Sequence, residues 1–498
     1  MDEANKSRKT TKLSDLLTKV TPFLVIVSGL VFSFTQTIKM DSDHLWSIAV
    51  GRWIDMNRAV PYEDVHSWTV YGKEWVSNSW LFCWLMYYLD GTLGYLGVLL
   101  LIAAVYLVAG YFLFLLCKRF NPTTFSTLIF IIGMVLLVAL SVMPRAYIFT
   151  LAFVAAIMYL LRFKWDSRLL YLIPLLMFFW SNIQRSFHFG MAILAVEALV
   201  ATFFYKDRRL WPVVGLSFLA ILVNPYGLYF GDISLAGFFT PGTQFIAEWG
   251  APDFDNMGML LLYLFFAATG VFAFNRLEKP YDRDKLMILF WFGAAFLYSL
   301  TTIRALTYVM LLWAPCFTAF STRPERESRL LKPVVAMVVL SLFLSSTIAG
   351  LPQLFEDFKK AGGISASTVE FIELSTLLTE ERVAMLHPLE AVEFLEENPR
   401  LQERLFNDYG YGGYLLLKEI PVFIDPRESV FTRHSVTEDY FKTTRLETRP
   451  EDIIEKYDIH TFLIRRGTSL AFYLEALVGW KKVYEDERSV IFIREGMV

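Results

Sequence analysis

Charged residues are scarce in this chain of 498 residues. Asp, Glu, Lys and Arg make up only 19% of it, whereas hydrophobic residues make up 55%, and the mean hydropathy is +0.45. A soluble protein of this length cannot bury so much apolar surface in its core. Several apolar runs reach the roughly 20 residues that a helix needs to cross a bilayer. The composition therefore excludes an ordinary soluble protein and predicts a polytopic α-helical membrane protein.

Cysteine is scarce too, and neither sign of charge is in large excess. Cys83, Cys117 and Cys316 lie in or beside apolar runs at no spacing typical of a metal site, so we interpret them as small buried hydrophobes. The net charge of −3 gives no indication of a nucleic-acid partner. No small-residue cleavage site follows the first apolar run, which predicts a retained span instead of a cleaved signal peptide.

The positions of the basic residues predict the topology. We place about eleven spans by length and hydropathy. They cover 20–38, 94–117, 124–143, 147–162, 169–182, 189–204, 211–223, 258–274, 285–300, 304–320 and 331–349. Lys and Arg cluster before the first span and then at every second connection. By the positive-inside rule these connections are cytoplasmic, and the C-terminal segment is extracytoplasmic.

Three regions follow from this reading. Residues 1–349 form an all-α transmembrane domain with an outer loop at 39–93, residues 350–382 form a linker, and residues 383–498 form an extracytoplasmic α/β domain. In the last region helical segments alternate with strand-like ones, namely "RLFND", "PVFID", "HTFLIRR" and a terminal hairpin with its turn near 485–488. "GYGG" lacks the spacing of a dinucleotide-binding loop, so we expect recognition from this domain and no chemistry.

Two acids follow the first span, in "KMDSDHLWSIAVGRW" (39–53). Asp41 is a natural N-cap for an amphipathic interfacial helix, and Asp43 suits the positive end of the helix dipole. The alternative is catalytic: a partly desolvated carboxylate acts as a general base, or the pair binds a divalent cation. The pattern leaves both readings open.

Other polar residues gather on the same predicted face. Asp64 and His66 lie in an aromatic-rich segment that is either an ordered interfacial loop or the wall of a polar pocket. Arg145 and Arg304 lie at one membrane depth and either snorkel or bind an anion such as lipid phosphate, so we expect them to converge. Further substrate-binding candidates are Asn182 and Gln184, whose alternative is a hydrogen-bonded turn, and Glu248, whose alternative is a solvated carboxylate.

The sequence resembles the GT-C superfamily of membrane glycosyltransferases, and more closely a poorly characterised bacterial group of GT-C-like proteins. The similar pieces are "DSDHLWSIAVGRWI", "VPYEDVHSWTVYGKEWVSNSWL", "WSNIQRSF", "NPYG", "EW", "FNDYGYGGYLLLK", "VFIDPR" and "VYEDERSVIFIR". There are two departures. Gln184 stands where a histidine is expected in a W-x-N-x-H pattern, and the W-W-D-like motif of oligosaccharyltransferases is absent.

The resemblance implies sugar transfer from a polyprenyl-phosphate donor to a glycan or protein acceptor, outside a bacterial inner membrane. It implies that Asp41 or Asp43 is the base and that Arg145 and Arg304 bind the donor phosphate. Fixed cations there would stabilise the leaving group. Two alternatives remain, a transporter or flippase for a lipid-linked sugar and a non-catalytic envelope scaffold. No inverted repeat favours the transporter.

The topology is directly testable. A reporter that is active only outside the cytoplasm, fused after Val498, should be active, whereas the same reporter at Lys118 should be silent. The reverse pattern would overturn the assignment of every loop to its side.

Overall fold

The computed structural model describes residues 41–141, 143–227, 247–321, 383 and 386–496, and these divide into two compact units. The helical unit contains 99–141, 143–221 and 248–321. The α/β unit contains 41–98, 222–227, 247, 383 and 386–496. The predicted spans 20–38 and 331–349 and the linker 350–382 lie outside the described residues.

The helical unit is built from apolar helices. They are Thr124–Ser141, Ile148–Phe163, Leu172–Ile183, Phe187–Tyr205, Trp211–Ile221, Met257–Asn275, Arg283–Ser299 and Leu306–Phe320, together with the later part of Trp80–Phe120. Within the described ranges, four segments are long and apolar enough to cross a membrane: Gly97–Phe120, Phe187–Tyr205, Met257–Asn275 and Ile303–Phe320. This supports a multi-pass membrane protein, while the count of eleven spans stays a prediction.

The helix Leu306–Phe320 forms the centre of this unit. It packs against Thr124–Ser141, Met257–Asn275 and Arg283–Ser299, and most of its side chains are buried. Large apolar side chains on other helices are instead exposed, among them Phe204 (80%). Exposed aromatic side chains on apolar helices are expected where the neighbour is lipid.

The α/β unit contains a four-stranded sheet in the order β1-β2-β4-β3. The strands are β1 (Leu405–Asn407), β2 (Thr461–Arg465), β3 (Trp480–Glu485) and β4 (Ser489–Arg494). β1 runs parallel to β2, and the other pairs are antiparallel. The mixed sheet and the terminal hairpin agree with the sequence prediction. The helices of this unit are Ser42–Asn57, the start of Trp80–Phe120, Leu389–Glu397, Gly412–Leu417, Glu428–Arg433, Val436–Thr444, Pro450–Tyr457 and Ser469–Ala476.

The predicted strand "PVFID" is wrong as a strand. On one side its backbone pairs with the side chain of Asn407, whose Oδ1 accepts from Phe423 N at 2.8 Å and whose Nδ2 donates to Ile424 O at 2.8 Å. On its other side Val422 forms a single bridge to Ser67. An asparagine side chain thus takes the place of a neighbouring strand.

The helix Ser42–Asn57 packs more completely than an interfacial amphipathic helix would. Most of its first ten residues are buried. Its N-terminus meets the helix Gly412–Leu417, where Gly413 N donates to Ser42 Oγ at 2.7 Å. A Cβ at Gly413 would overlap the Ser42 carbonyl, so glycine is required for this approach. Further along, Arg52 Nη2 donates to Leu417 O at 2.8 Å.

The predicted outer loop 39–93 ends earlier than expected, because a helix begins at Trp80 and continues past a non-helical Gly94 to Phe120. The segment before this helix is ordered against the C-terminal part of the chain. Trp68 Nε1 donates to Leu405 O at 3.0 Å, and Thr69 Oγ1 donates to Phe423 O at 2.7 Å. The loop is therefore an integral part of the α/β unit.

A buried arginine fixes this arrangement. Arg427 and its two partners, Asp64 and Asp425, have fully buried side chains, and Arg427 Nη2 lies 2.7 Å from Asp425 Oδ2. Its Nη1 donates to Asp64 Oδ1, and its guanidinium lies 4.8 Å from the ring centroid of Trp75. Burial alone would raise the pKa of Asp64, but Arg427 and hydrogen bonds from Ser67 hold it below its usual value.

Replacing Arg427 should destabilise the protein strongly. Arg427→Met leaves two carboxylates buried without a cation, which should lower the free energy of unfolding by about 3–5 kcal/mol. Arg433→Met is the control, because Arg433 forms a partly exposed ion pair with Glu74 at 3.7 Å. Its replacement should lower the free energy of unfolding by less than about 1 kcal/mol. Unfolding of the purified full chain in detergent, followed by tryptophan fluorescence, measures both. Equal losses would contradict the structural role of Arg427.

Candidate functional site

The ends of several apolar helices bring Arg145 and Arg304 together. Arg145 lies just before the helix Ile148–Phe163, and Arg304 lies in the 3-10 helix Ile303–Ala305. Both face one carboxylate: Glu248 Oε1 lies 2.8 Å from Arg145 Nη1 and 3.8 Å from Arg304 Nη1. The expected convergence of the two arginines is therefore observed, and Glu248 joins them.

Backbone contacts hold this cluster in place. Thr302 Oγ1 donates to Glu248 O at 3.1 Å, and Ile303 N donates to Gly250 O at 2.9 Å. The short helix Ala247–Trp249 is thereby attached to the start of the helix that carries Arg304. The position of Glu248 is set by its main chain and not only by its ion pairs.

Arg304 is held by aromatic rings. Its guanidinium carbon lies 5.0 Å from the ring centroid of Trp249 and 5.3 Å from that of Tyr147. Within the described residues its side chain donates no hydrogen bond, and it is 28% exposed. Such contacts fix a cation while leaving its hydrogen-bond donors available. The arrangement suits the binding of an anion such as a phosphate.

Arg185 extends the cluster, and the sequence analysis did not single it out as a binding residue. Its guanidinium lies 5.5 Å from the ring centroid of Trp249. Two residues close to Arg185 in sequence were predicted to bind substrate, and they make other contacts. Asn182 is buried and its amide donates to Phe178 O at 2.8 Å, while Gln184 is the C-cap of its helix. An arginine next to a helix end, on a face already rich in arginine, was the available signal.

Asp41 and Asp43 lie in the α/β unit at the start of the helix Ser42–Asn57. Asp41 is the N-cap, and its Oδ1 accepts from His44 N at 3.1 Å. Asp43 Oδ1 accepts from Trp46 Nε1 at 3.0 Å. The capping role is therefore present, and both side chains are half-buried. Capping is compatible with a second role as base, because it engages one carboxylate oxygen.

Asp64 and His66 lie in the interior of the α/β unit. The carboxylate of Asp64 is fully engaged by Arg427 and Ser67, whose Oγ lies 2.5 Å from Asp64 Oδ2. Burial and the charge of Arg427 lower the pKa of His66 to about 3. Both residues thus serve the packing of the segment around them.

His44 is the most unusual group near Asp41. It is completely buried, and within the described part of the chain neither ring nitrogen has a hydrogen-bond partner. Burial lowers its pKa to about 4, with Asp41 acting to raise it and His387 to lower it further. His44 is therefore neutral at pH 7.

Among the residues that the structure describes, no three His, Cys, Asp or Glu side chains are grouped closely enough to hold a metal ion. The divalent cation suggested for Asp41 and Asp43 stays a prediction.

Comparison with known proteins identifies the fold. No family model matches the sequence, and no curated protein matches it. Among solved structures, the archaeal oligosaccharyltransferase AglB from Archaeoglobus fulgidus, in complex with an inhibitory peptide and a dolichol-phosphate, matches with a TM-score of 0.55 and 11% identity. The match covers 89% of this chain and 69% of AglB.

A second match covers almost all of both chains. ArnT from Cupriavidus metallidurans, bound to undecaprenyl phosphate, has a TM-score of 0.50 and 12% identity over 97% of this chain and 98% of its own. Both proteins are GT-C glycosyltransferases. This chain has the GT-C fold. The resemblance predicted from the sequence is confirmed at the level of the fold.

The buried His44 makes the stability of this protein depend on pH. In the unfolded chain a histidine takes up a proton near pH 6.5, whereas folded His44 does so only near pH 4. Stability contributed by neutral His44 is therefore lost as pH falls from about 6.5 to 4, by about 3 kcal/mol in total. The free energy of unfolding is measured for the wild type and for His44→Leu between pH 7 and pH 4. As the pH falls, the wild type should lose about 3 kcal/mol relative to His44→Leu. A difference that does not change with pH would contradict the prediction.

Proposed function

We propose that the protein is a membrane glycosyltransferase that moves a sugar from a polyprenyl-phosphate donor to an envelope acceptor on the extracytoplasmic face. The observation that carries this proposal is the cation of Arg304, held between Trp249 and Tyr147 beside Arg145, in a helical unit of GT-C fold. A site of this kind suits a phosphate on a lipid, because guanidinium groups bind phosphate oxygens in a fork and the surrounding helices are apolar.

The donor phosphate is the leaving group in the proposed reaction. The bond between the anomeric carbon and the phosphate oxygen breaks, and the released polyprenyl phosphate carries the negative charge that develops. Arg145 and Arg304 stabilise this charge with N–H donors that are already in position. Electrostatic stabilisation by such preorganised donors is usually the largest single contribution to catalysis.

Activation of the acceptor is separate from stabilisation of the leaving group and is assigned to a different residue. Asp41 takes the proton from the attacking acceptor group, which forms the new bond to the anomeric carbon. Asp41 is favoured over Asp43 because it lies nearer the end of the predicted first span and is therefore expected to be the more desolvated. Asn at this position would keep the N-cap but cannot accept the proton.

The two aspartates can be separated by experiment. Asp41→Asn should fold normally, with a change in stability of less than about 1 kcal/mol, and should lose turnover on the order of 10²-fold or more. Asp43→Asn should suffer much less, because an amide oxygen still accepts the bond from Trp46 Nε1. The measurement is release of free polyprenyl phosphate from a polyprenyl-phosphate sugar in the presence of acceptor, at matched protein levels.

If both variants keep full turnover, the acids only cap the helix. If both lose turnover and added divalent metal restores part of it, the pair holds a cation. Absence of sugar transfer by the wild type across lipid-linked donors would contradict the proposed function itself.

A further inference from the structure

Glu248 is the one acidic side chain that the described residues place on the arginine pair. Its Oε1 lies 2.8 Å from Arg145 Nη1 and 3.8 Å from Arg304 Nη1. The side chain of Glu248 is 38% exposed, that of Arg145 is 19% exposed and that of Arg304 is 28% exposed. The cluster is therefore open enough for another anion to reach it.

A carboxylate and a phosphate use the same donors. Both present anionic oxygens to a guanidinium. The donor phosphate, a diester, carries one negative charge as a carboxylate does, whereas released polyprenyl phosphate, a monoester, carries more charge and a third anionic oxygen. A phosphate that binds Arg145 and Arg304 must therefore displace Glu248 from the N–H group of Arg145 and compete with its negative charge beside Arg304. Without any anion, the two guanidinium groups would repel each other.

The anchoring of Glu248 allows its side chain to move alone. The main chain is held by the bond from Thr302 Oγ1 to Glu248 O and by the bond from Ile303 N to Gly250 O. The contacts of Arg304 with the rings of Trp249 and Tyr147 do not involve the carboxylate of Glu248. A change of side-chain rotamer at Glu248 would vacate the site without disturbing the elements that build it.

We propose that Glu248 is a resident counter-anion of the phosphate site. It occupies the arginine pair in the unliganded protein, yields to the phosphate of the lipid donor, and returns when polyprenyl phosphate leaves. The inference rests on the proposed function and adds to it a competition that weakens phosphate binding and promotes product release.

Substitution of Glu248 should tighten binding of phosphate. Glu248→Gln keeps the size of the side chain and removes the competing charge, so its Kd for undecaprenyl phosphate in detergent should fall by about two- to fivefold, the range expected for losing a partly exposed ion pair. Arg304→Gln should weaken binding. Glu278→Gln is the matched control, since Glu278 is an exposed glutamate beyond the far end of the helix Met257–Asn275 and should leave the Kd unchanged.

Thermal unfolding distinguishes competition from simple damage. Glu248→Gln should lower the melting temperature of the unliganded protein, because the arginines lose their anion, yet it should enlarge the shift that undecaprenyl phosphate produces. Inorganic phosphate should act in the same direction at higher concentration. Equal binding of phosphatidylglycerol would overturn the assignment to a donor phosphate.

The outcomes separate the two proposals. If the wild type binds undecaprenyl phosphate and Arg304→Gln weakens it, but Glu248→Gln weakens it too or leaves it unchanged, the counter-anion role is wrong and the phosphate site stands. If neither the wild type nor Glu248→Gln binds undecaprenyl phosphate, the phosphate site itself is wrong.

Discussion

A guanidinium group removed from water must find an anion or an aromatic face, and much of this structure follows from that constraint. Arg427 satisfies it with Asp64 and Asp425 and, by doing so, attaches the segment before the helix Trp80–Phe120 to the C-terminal part of the chain. Because these groups are fully buried, loss of one partner is costly. The ion pairs of Arg427 with Asp64 and Asp425 therefore hold the loop, the sheet and the helices of the α/β unit in one arrangement.

The helical unit meets the same constraint in two ways. Arg162, whose side chain is completely buried, is matched by Glu197, and this carboxylate also accepts from Trp291 Nε1 at 3.2 Å. Charges among apolar helices are expected to be paired in this manner. Arg304 differs, because aromatic rings hold it and its nearest carboxylate is at 3.8 Å. The contrast separates Arg162, which is paired within the helical framework, from Arg304, the group proposed to bind an anion.

The sequence predicted those features that depend on local pattern. Long apolar runs predicted the helices, the terminal hairpin followed from its turn residues, and a shared membrane depth predicted that Arg145 and Arg304 would meet. Other features that depend on distant partners were not predicted. The run "PVFID" has a strand's composition, yet on one side its backbone pairs with the side chain of Asn407 instead of a neighbouring strand. Arg427 and Asp64 could not be paired from sequence, because nothing local relates two residues in different regions.

The close approach of Gly413 to Ser42 has a consequence for biogenesis. The helix Ser42–Asn57 is synthesised before the apolar helices that follow it, but Gly413, whose N–H donates to Ser42 Oγ, is separated from Ser42 by 371 positions. Chains fold from the N-terminus as they emerge, so this helix must wait through the insertion of the apolar helices before its partner exists. The proposed base thus acquires its final surroundings only after the described apolar helices have been synthesised. A partly made chain, already embedded in the bilayer, would lack the setting for its chemistry.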